Sequence, residues 1–185
     1  MKRLFDLVVA LPLLTFSLPV MLVIAVVVCL DSPGAAIFRQ VRVGRNERGF
    51  TLLKFRSMRA DTPELPTDEM ARCPSRVTRT GRWLRRTSLD ELPQLINVLR
   101  GEMSLVGPRP ALPTQSELNR KRRAEGIEAL TPGITGWAQV NGRDELDTDA
   151  KVACDAWYLQ HRSLWLDLQI LVQTLIPVVT GRGNR

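Results

Sequence analysis

Asp90 and Glu91 are adjacent carboxylates set between a block of arginines and a Gly-Pro-Arg-Pro turn, within Arg76 to Pro110, RVTRTGRWLRRTSLDELPQLINVLRGEMSLVGPRP. Acid beside that much positive charge suits a site that holds magnesium and polyphosphate and also attacks phosphorus. An ionised Asp is a competent nucleophile toward phosphorus once the charges that repel it are neutralised. Mg2+ favours carboxylates together with substrate phosphates over a closed protein cage, and the pair suits that use. Arg82, Arg85, Arg86 and Arg109 offer the neutralising charge. The X-Pro bonds at Pro108 and Pro110 stiffen the backbone that carries Arg109. Arg143, directly after the Asn141-Gly142 turn, is a further candidate clamp for phosphate or carboxylate. His161 is the only histidine, so neither a histidine triad nor a multi-histidine metal site is available.

The elements that must position these groups are partly readable. Leu92, Leu95, Ile96 and Leu99 form the stripe of an amphipathic helix, and Gly101 fits its C-terminal cap. Ser88 to Glu91 matches a capping box, in which case both residues merely start a helix. Pro93 argues for a later start: with Asp90 as the N-cap, the proline falls in the first turn, where a missing N–H is tolerated. Asp90 would then sit at the positive end of a helix dipole, which favours carboxylate and phosphate. Upstream, Ala36 to Phe38 and Phe50 to Phe55 read as short strands, and Gly44 and Gly49 mark the loop of a hairpin. Lys54 and Arg56 would share one face, either as a solvated surface or as phosphate contacts. Asp61 to Pro74, with Pro63, Pro66 and Pro74, reads as a surface excursion.

Leu7 to Leu30 carries no charge and is bracketed by Asp6 and Asp31. As a straight helix it would be about 36 Å long, enough for a bilayer core of about 30 Å. Ser17 and Pro19, with Pro12 about two turns earlier, predict a break near its centre, with the Ser17 hydroxyl bonded four residues back. Lys2 and Arg3 precede the segment, and Arg39, Arg42, Arg45 and Arg48 follow it. Positive charge favours the cytoplasmic face, so a broken helix that enters and returns on one side satisfies both ends. A kinked spanning helix and a buried core helix are the alternatives. The segment divides the chain into a membrane element, residues 1–32, and a catalytic domain, residues 33–185.

Net charge is +7, with 26 Lys+Arg against 19 Asp+Glu, which points to an anionic partner: phosphate ligand, acidic lipid or nucleic acid. Aromatic residues make up only 5%, which argues against a base-stacking nucleic-acid surface. Cys29, Cys73 and Cys154 are widely separated and lack metal-type spacing, as expected of reduced thiols. Thr131 to Gly133 and Asn141-Gly142 read as turns bracketing Ile134 to Val140. Trp157, Tyr158 and Trp165 fit either a membrane interface or a core. Ser163 fits the cap of a helix bearing Leu164, Leu168, Leu171 and Leu175, able to lie against a bilayer or against the first segment.

Taken together, these motifs closely resemble the bacterial sugar transferase family, the small monotopic phosphoglycosyl transferases. The resemblance runs from Arg3-Leu4-Phe5-Asp6 nearly to the C-terminus. It rests on KFRSM (Lys54 to Met58), RRTSLDELPQLINVLRG (Arg85 to Gly101), SLVGPRP (Ser104 to Pro110) and TPGITGWAQVNGR (Thr131 to Arg143). DAWY (Asp155 to Tyr158) and SLWLDL (Ser163 to Leu168) continue it. The resemblance implies an α+β, predominantly helical monotopic protein with an N-terminal re-entrant helix, a small β-hairpin and amphipathic interfacial helices. It implies transfer of a sugar-1-phosphate from a UDP-sugar to polyprenyl (undecaprenyl) phosphate, releasing UMP, on the cytoplasmic face of the bacterial inner membrane. Asp90 would be the covalent nucleophile and Glu91 its assistant, with magnesium at the pair. Lys54, Arg143 and Asp167 match polar positions of the family's site. Pro108, Arg109 and Pro110 match its uridine-nucleotide contact, and Arg86 joins them as a substrate-binding candidate. The family's break is usually Ser-Pro, whereas this chain reads Ser17-Leu18-Pro19. The resemblance implies the minimal catalytic form, without an extra N-terminal membrane bundle.

The reading is therefore a ping-pong transfer at the first membrane step of glycoconjugate assembly, without nucleic acid as a partner and compatible with a homo-oligomer. Two rivals stand beside it. In one, Asp90 only binds metal in a non-covalent enzyme of the same class. In the other, the chain is a membrane-anchored basic protein that binds acidic lipid or nucleic acid without catalysis. Nothing in the sequence selects the sugar or the glycan, be it exopolysaccharide, O-antigen or glycoprotein.

Overall fold

A computed structural model describes residues 1–62, 76–142 and 146–180, with side chains up to residue 175. The proline-bearing stretch expected as a surface excursion falls largely outside the described residues, as does Cys73. The chain opens with α1 (Lys2–Asp31), followed by β1 (Ile37–Val43) and β2 (Gly49–Phe55). Then come α2 (Arg79–Thr87), α3 (Gln94–Arg100), β3 (Ser104–Val106), α4 (Ser116–Ala124) and β4 (Gly133–Thr135). Short α5 (Trp137–Val140), α6 (Thr148–His161) and α7 (Leu164–Thr180) complete it. The described residues are predominantly helical, with two small two-stranded sheets and one long apolar N-terminal helix.

Helix α1 is long and apolar enough to cross a membrane. It runs through Pro12 and Pro19, and the Ser17 hydroxyl donates to the Leu14 carbonyl, three residues back instead of the expected four. Only Asp6, Ala10, Met21, Ile24 and Val28 are buried, while every residue from Leu11 to Val20 except Leu14 and Ser17 is exposed. The contacts thus lie at the two ends. At the start, Arg3 donates to the carbonyls of Val98 and Leu99 in the last turn of α3, where a cation meets the negative end of a helix dipole. Buried Asp6 accepts from the Ser104 hydroxyl at 3.0 Å and the Leu105 N–H at 3.1 Å. At the far end, Arg56 donates to the carbonyls of Val28, Ser32, Pro33 and Gly34. Arg56 is therefore neither a solvated residue nor a phosphate contact; it is buried as a cap on α1. The Thr80 N–H also reaches Asp31 at 2.9 Å.

The hairpin forms as expected but is longer, pairing Ile37 with Phe55 through to Val43 with Gly49. This antiparallel register puts Phe38, Gln40, Arg42, Phe50, Leu52 and Lys54 on one face. Buried Asn97 of α3 clamps that strand, accepting from the Leu53 N–H and donating to the Thr51 carbonyl. A second, parallel pair joins β3 to β4, Ser104 with Gly133 and Val106 with Thr135. It was not readable in advance, because three-residue strands carry no alternation. Its seam is closed by glycines: a Cβ on Gly107 would lie 2.3 Å from the Thr131 carbonyl oxygen, and one on Gly133 2.1 Å from the Gly107 nitrogen. The main core gathers around this seam, with Val98, Met103, Val106, Tyr158 and Ile170 almost fully buried. Met21, Ile24 and Val28 of α1 form a second cluster with Phe55 and Leu84. In α7 the inner face is Leu166, Asp167 and Ile170, while Leu164, Trp165, Leu168, Val172 and Leu175 face outward.

Gly133→Ala should destabilise the protein by about 3 kcal/mol, because the methyl group enters backbone that cannot move aside. Gly126→Ala, where a Cβ meets nothing within 4 Å, should cost about 1 kcal/mol for its positive φ alone. Thermal unfolding in detergent tests the pair, and equal costs would contradict the close approach of the two strands.

Candidate active site

The carboxylate pair sits on a sharp connection between α2 and α3. Ser88 adopts the left-handed conformation (φ 56°), and Leu89–Glu91 make a single 3-10 turn. Pro93 then serves as the N-cap of α3, which begins only at Gln94. Neither expected helix start is realised: the Ser88 side chain does not cap the turn, and Asp90 lies before the helix instead of at its N-cap. The proline explains both, since its missing N–H is harmless at a cap and costly farther in. The predicted C-cap is realised, with Gly101 left-handed at φ 85°.

Three separate elements close on this turn. Lys54 of β2 places its Nζ 2.8 Å from Glu91 Oε1 and 4.0 Å from Asp90 Oδ2. Arg109 places Nη2 3.1 Å from the same Glu91 oxygen. Arg85 of α2 donates to the Ser57 hydroxyl at 2.9 Å, and its charge acts on Asp90. Gly81 lets α2 lie directly on the Ser57 backbone, where a Cβ would come within 1.9 Å of the carbonyl oxygen. Arg109 rides on the turn that leaves β3, fixed by the Gly133 N–H to the Pro108 carbonyl and the Val43 N–H to the Ala111 carbonyl, both at 2.9 Å. Beside the pair, Arg42, Leu52, Lys54, Gln94, Arg109 and Pro110 line a cleft.

Environment drives the two acids apart. Asp90 is only 7% exposed, and burial, with the Glu91 charge added, lifts its carboxyl above the ordinary range against Lys54, Arg109 and Arg85. Burial would raise Glu91 as well. There the Lys54 and Arg109 charges, with their hydrogen bonds, win and hold it at about 2. The result is a fixed anion at Glu91 beside a desolvated Asp90 carboxyl. Among the described residues no third His, Cys, Asp or Glu joins a metal-holding group with the pair. Two carboxylates fit Mg2+ as a site completed by substrate phosphate and water.

The other expected residues are distributed unevenly. Arg86 is exposed on α2, one position from the arginine that acts on Asp90. Arg143 lies outside the described residues. Asp167 is 1% exposed and belongs to a different cluster, accepting from the Tyr158 hydroxyl at 2.5 Å and from Lys2 at 2.6 Å. It ties α7 to the start of α1. Of the rings, Tyr158 is core, whereas Trp165 is 68% exposed and Trp157 is stacked between Trp137 and His161. Sequence reasoning did not assign Gln94 or Arg42 to the cleft. Arg42 was recoverable once the hairpin register was known, since it shares the Lys54 face. Ser163 caps α7 as expected, accepting from the Leu166 N–H.

Over almost its whole length the chain is similar in sequence to known proteins. The family model described as bacterial sugar transferase matches residues 1–181. The undecaprenyl-phosphate glucose phosphotransferase of Komagataeibacter xylinus is 46% identical over 98% of this chain and 36% of its own length. The uncharacterized sugar transferase EpsL of Bacillus subtilis (strain 168) is 44% identical, over 99% of the chain and 89% of the relative. The UDP-glucose:undecaprenyl-phosphate glucose-1-phosphate transferase of Escherichia coli (strain K12) is 43% identical, over 95% and 39%. The chain thus spans less than half the length of the first and third of these relatives.

The opposed shifts predict opposed stabilities in metal-free protein. Asp90, raised in the fold, is disfavoured as an anion, so stability is present below its unfolded value and lost as pH rises. Asp90→Asn should therefore raise the melting temperature at pH 7. Glu91, depressed to about 2, contributes stability above its unfolded value that is lost as pH falls toward 2. Glu91→Gln should lower the melting temperature at pH 7, with the deficit shrinking toward pH 2. Melting curves across pH check this, and a loss for both variants at pH 7 would refute the assignment.

Proposed function

The chain belongs to the bacterial sugar transferase family, and on that premise we propose that it moves a sugar-1-phosphate from a UDP-sugar to polyprenyl phosphate in two steps. An Asp90 carboxylate oxygen attacks the β-phosphorus, the bond to the bridging oxygen of the diphosphate breaks, and UMP leaves. A phosphate oxygen of the polyprenyl acceptor then attacks the phosphosugar-aspartyl intermediate, forming the lipid diphosphate sugar and restoring the Asp90 carboxylate. The observation that carries this is the buried Asp90 beside a Glu91 already neutralised by Lys54 and Arg109. Cations of the cleft, Lys54, Arg42 and Arg109, are free of the cost of being assembled at the moment of reaction, so they offset charge that develops on the phosphates. Arg109, between Pro108 and Pro110, contacts the uridine nucleotide, with Arg86 and Arg143 as further substrate-side residues. Magnesium, when bound by Asp90 and Glu91 with the donor diphosphate, neutralises phosphate charge.

In the same reading, α1 enters the cytoplasmic face of the bacterial inner membrane and returns to it. Support comes from its contacts: both ends are bonded to one catalytic domain, whereas Leu11 to Val20 is largely uncovered apolar surface. A spanning helix would carry one of those ends to the opposite side, away from its partners. The outward apolar face of α7, with Trp165, lies at the same interface and brings the lipid acceptor to the cleft.

Intact-mass measurement after incubation with UDP-sugars, without acceptor, should find a phosphosugar added to the wild type and none on Asp90→Asn. UMP release from a UDP-sugar with no adduct on Asp90 would sink the covalent route and leave the pair as metal ligands.

A further inference from the structure

The turn that carries Arg109 poses a problem of attachment. Pro108 and Pro110 have no N–H, so half of the Pro108 to Ala111 segment offers no backbone donor and its carbonyls carry much of the attachment. Four successive carbonyls each accept one bond, and each donor is a different residue. Pro108 takes the Gly133 N–H and Ala111 the Val43 N–H, as described. The Pro110 carbonyl takes Arg42 Nη1 at 3.2 Å. The carbonyl of Arg109 itself takes Arg122 Nη1 at 2.9 Å, from α4.

Arg122 is held in turn. Its Nε and Nη2 both donate to Asp155 Oδ2 of α6, at 3.0 and 2.6 Å, and the Asp155 side chain is 2% exposed. A buried pair of this kind contributes little net stability compared with apolar residues of the same volume. What it fixes is direction: with two of its nitrogens committed to Asp155, the guanidinium keeps its third on the Arg109 peptide. We infer that Arg122, braced by Asp155, is a positioning residue that sets the Arg109 side chain for the uridine nucleotide. The chain of contacts runs from Asp155 through Arg122 to the Arg109 backbone, then through the Arg109 side chain to Glu91. This rests on the reading of Arg109 as a nucleotide contact.

The test uses the full chain in detergent and UMP as the probe, since every UDP-sugar donor contains it. Arg122→Lys keeps the charge but loses the fork, and should weaken UMP binding by calorimetry about tenfold. In an Arg109→Ala background the same substitution should add nothing, because its effect passes through Arg109. A merely structural role would weaken binding equally in both backgrounds, and that result would overturn the inference. Hydrogen exchange supplies a readout independent of ligand: the amides of Arg109 and Ala111 should exchange faster in Arg122→Lys while those of α3 stay unchanged. The paired variant Arg122→Gln with Asp155→Asn, which removes both charges together, should behave alike and serves if the single variant folds poorly. Unchanged exchange at 109 and 111 would overturn the positioning role. Faster exchange in a protein whose wild type does not bind UMP would uphold it and instead refute the nucleotide reading of Arg109.

Discussion

Burying Asp90 beside a half-buried Glu91 obliges the chain to bring cations to the pair from elsewhere, and that demand organises the domain. An uncompensated buried anion costs several kcal/mol. Lys54 arrives from the hairpin, Arg85 from α2 and Arg109 from the turn after β3. Each needs its own brace. Asn97 clamps β2 to α3 behind Lys54, Gly81 seats α2 on Ser57 beside Arg85, and the glycine seam of β3 and β4 carries Arg109. The site is less a pocket cut into a finished fold than the meeting point that the small sheets and short helices exist to build.

The same logic explains the first helix. Its two polar ends are consumed by the domain: Arg3 on the carbonyls of α3, Asp6 on β3, and Arg56 on carbonyls at and just past the end of α1. None of these bonds touches the carboxylate pair, yet they fix α1 against α3 and β3, which flank it. The helix thus joins a bare apolar centre to two ends that are both bonded to the rest of the domain.

Much of this was legible in the residues, for identifiable reasons. The hairpin, the Gly101 cap and the Ser163 cap follow from local chemistry or short-range spacing and are found, and Lys54 lies against the Asp90-Glu91 pair. The start of α3 was misplaced because Pro93 constrains a cap but does not say how many residues precede it. Arg56 misled for a different reason. Strand alternation assigns a face but not a partner, and its partners lie at the end of α1 and just past it, 22 to 28 residues away. Non-local bonds also hid the β3–β4 seam and the bracing of Arg109, since nothing local marks Gly133 or Arg122 as neighbours of the Pro-Arg-Pro turn. In Asp167 the sequence motif pointed to a substrate residue, and the geometry gives it Lys2 and Tyr158 as partners.

The central claim is that Asp90 forms a bond that outlives UMP departure, and isotope exchange tests it most directly. With UDP-sugar and labelled UMP but no polyprenyl phosphate, a covalent intermediate lets the first step run backward, so label should appear in the UDP-sugar. Substitution of Asp90 by Asn should abolish that exchange. Exchange that appears only when the acceptor is added would contradict the two-step route.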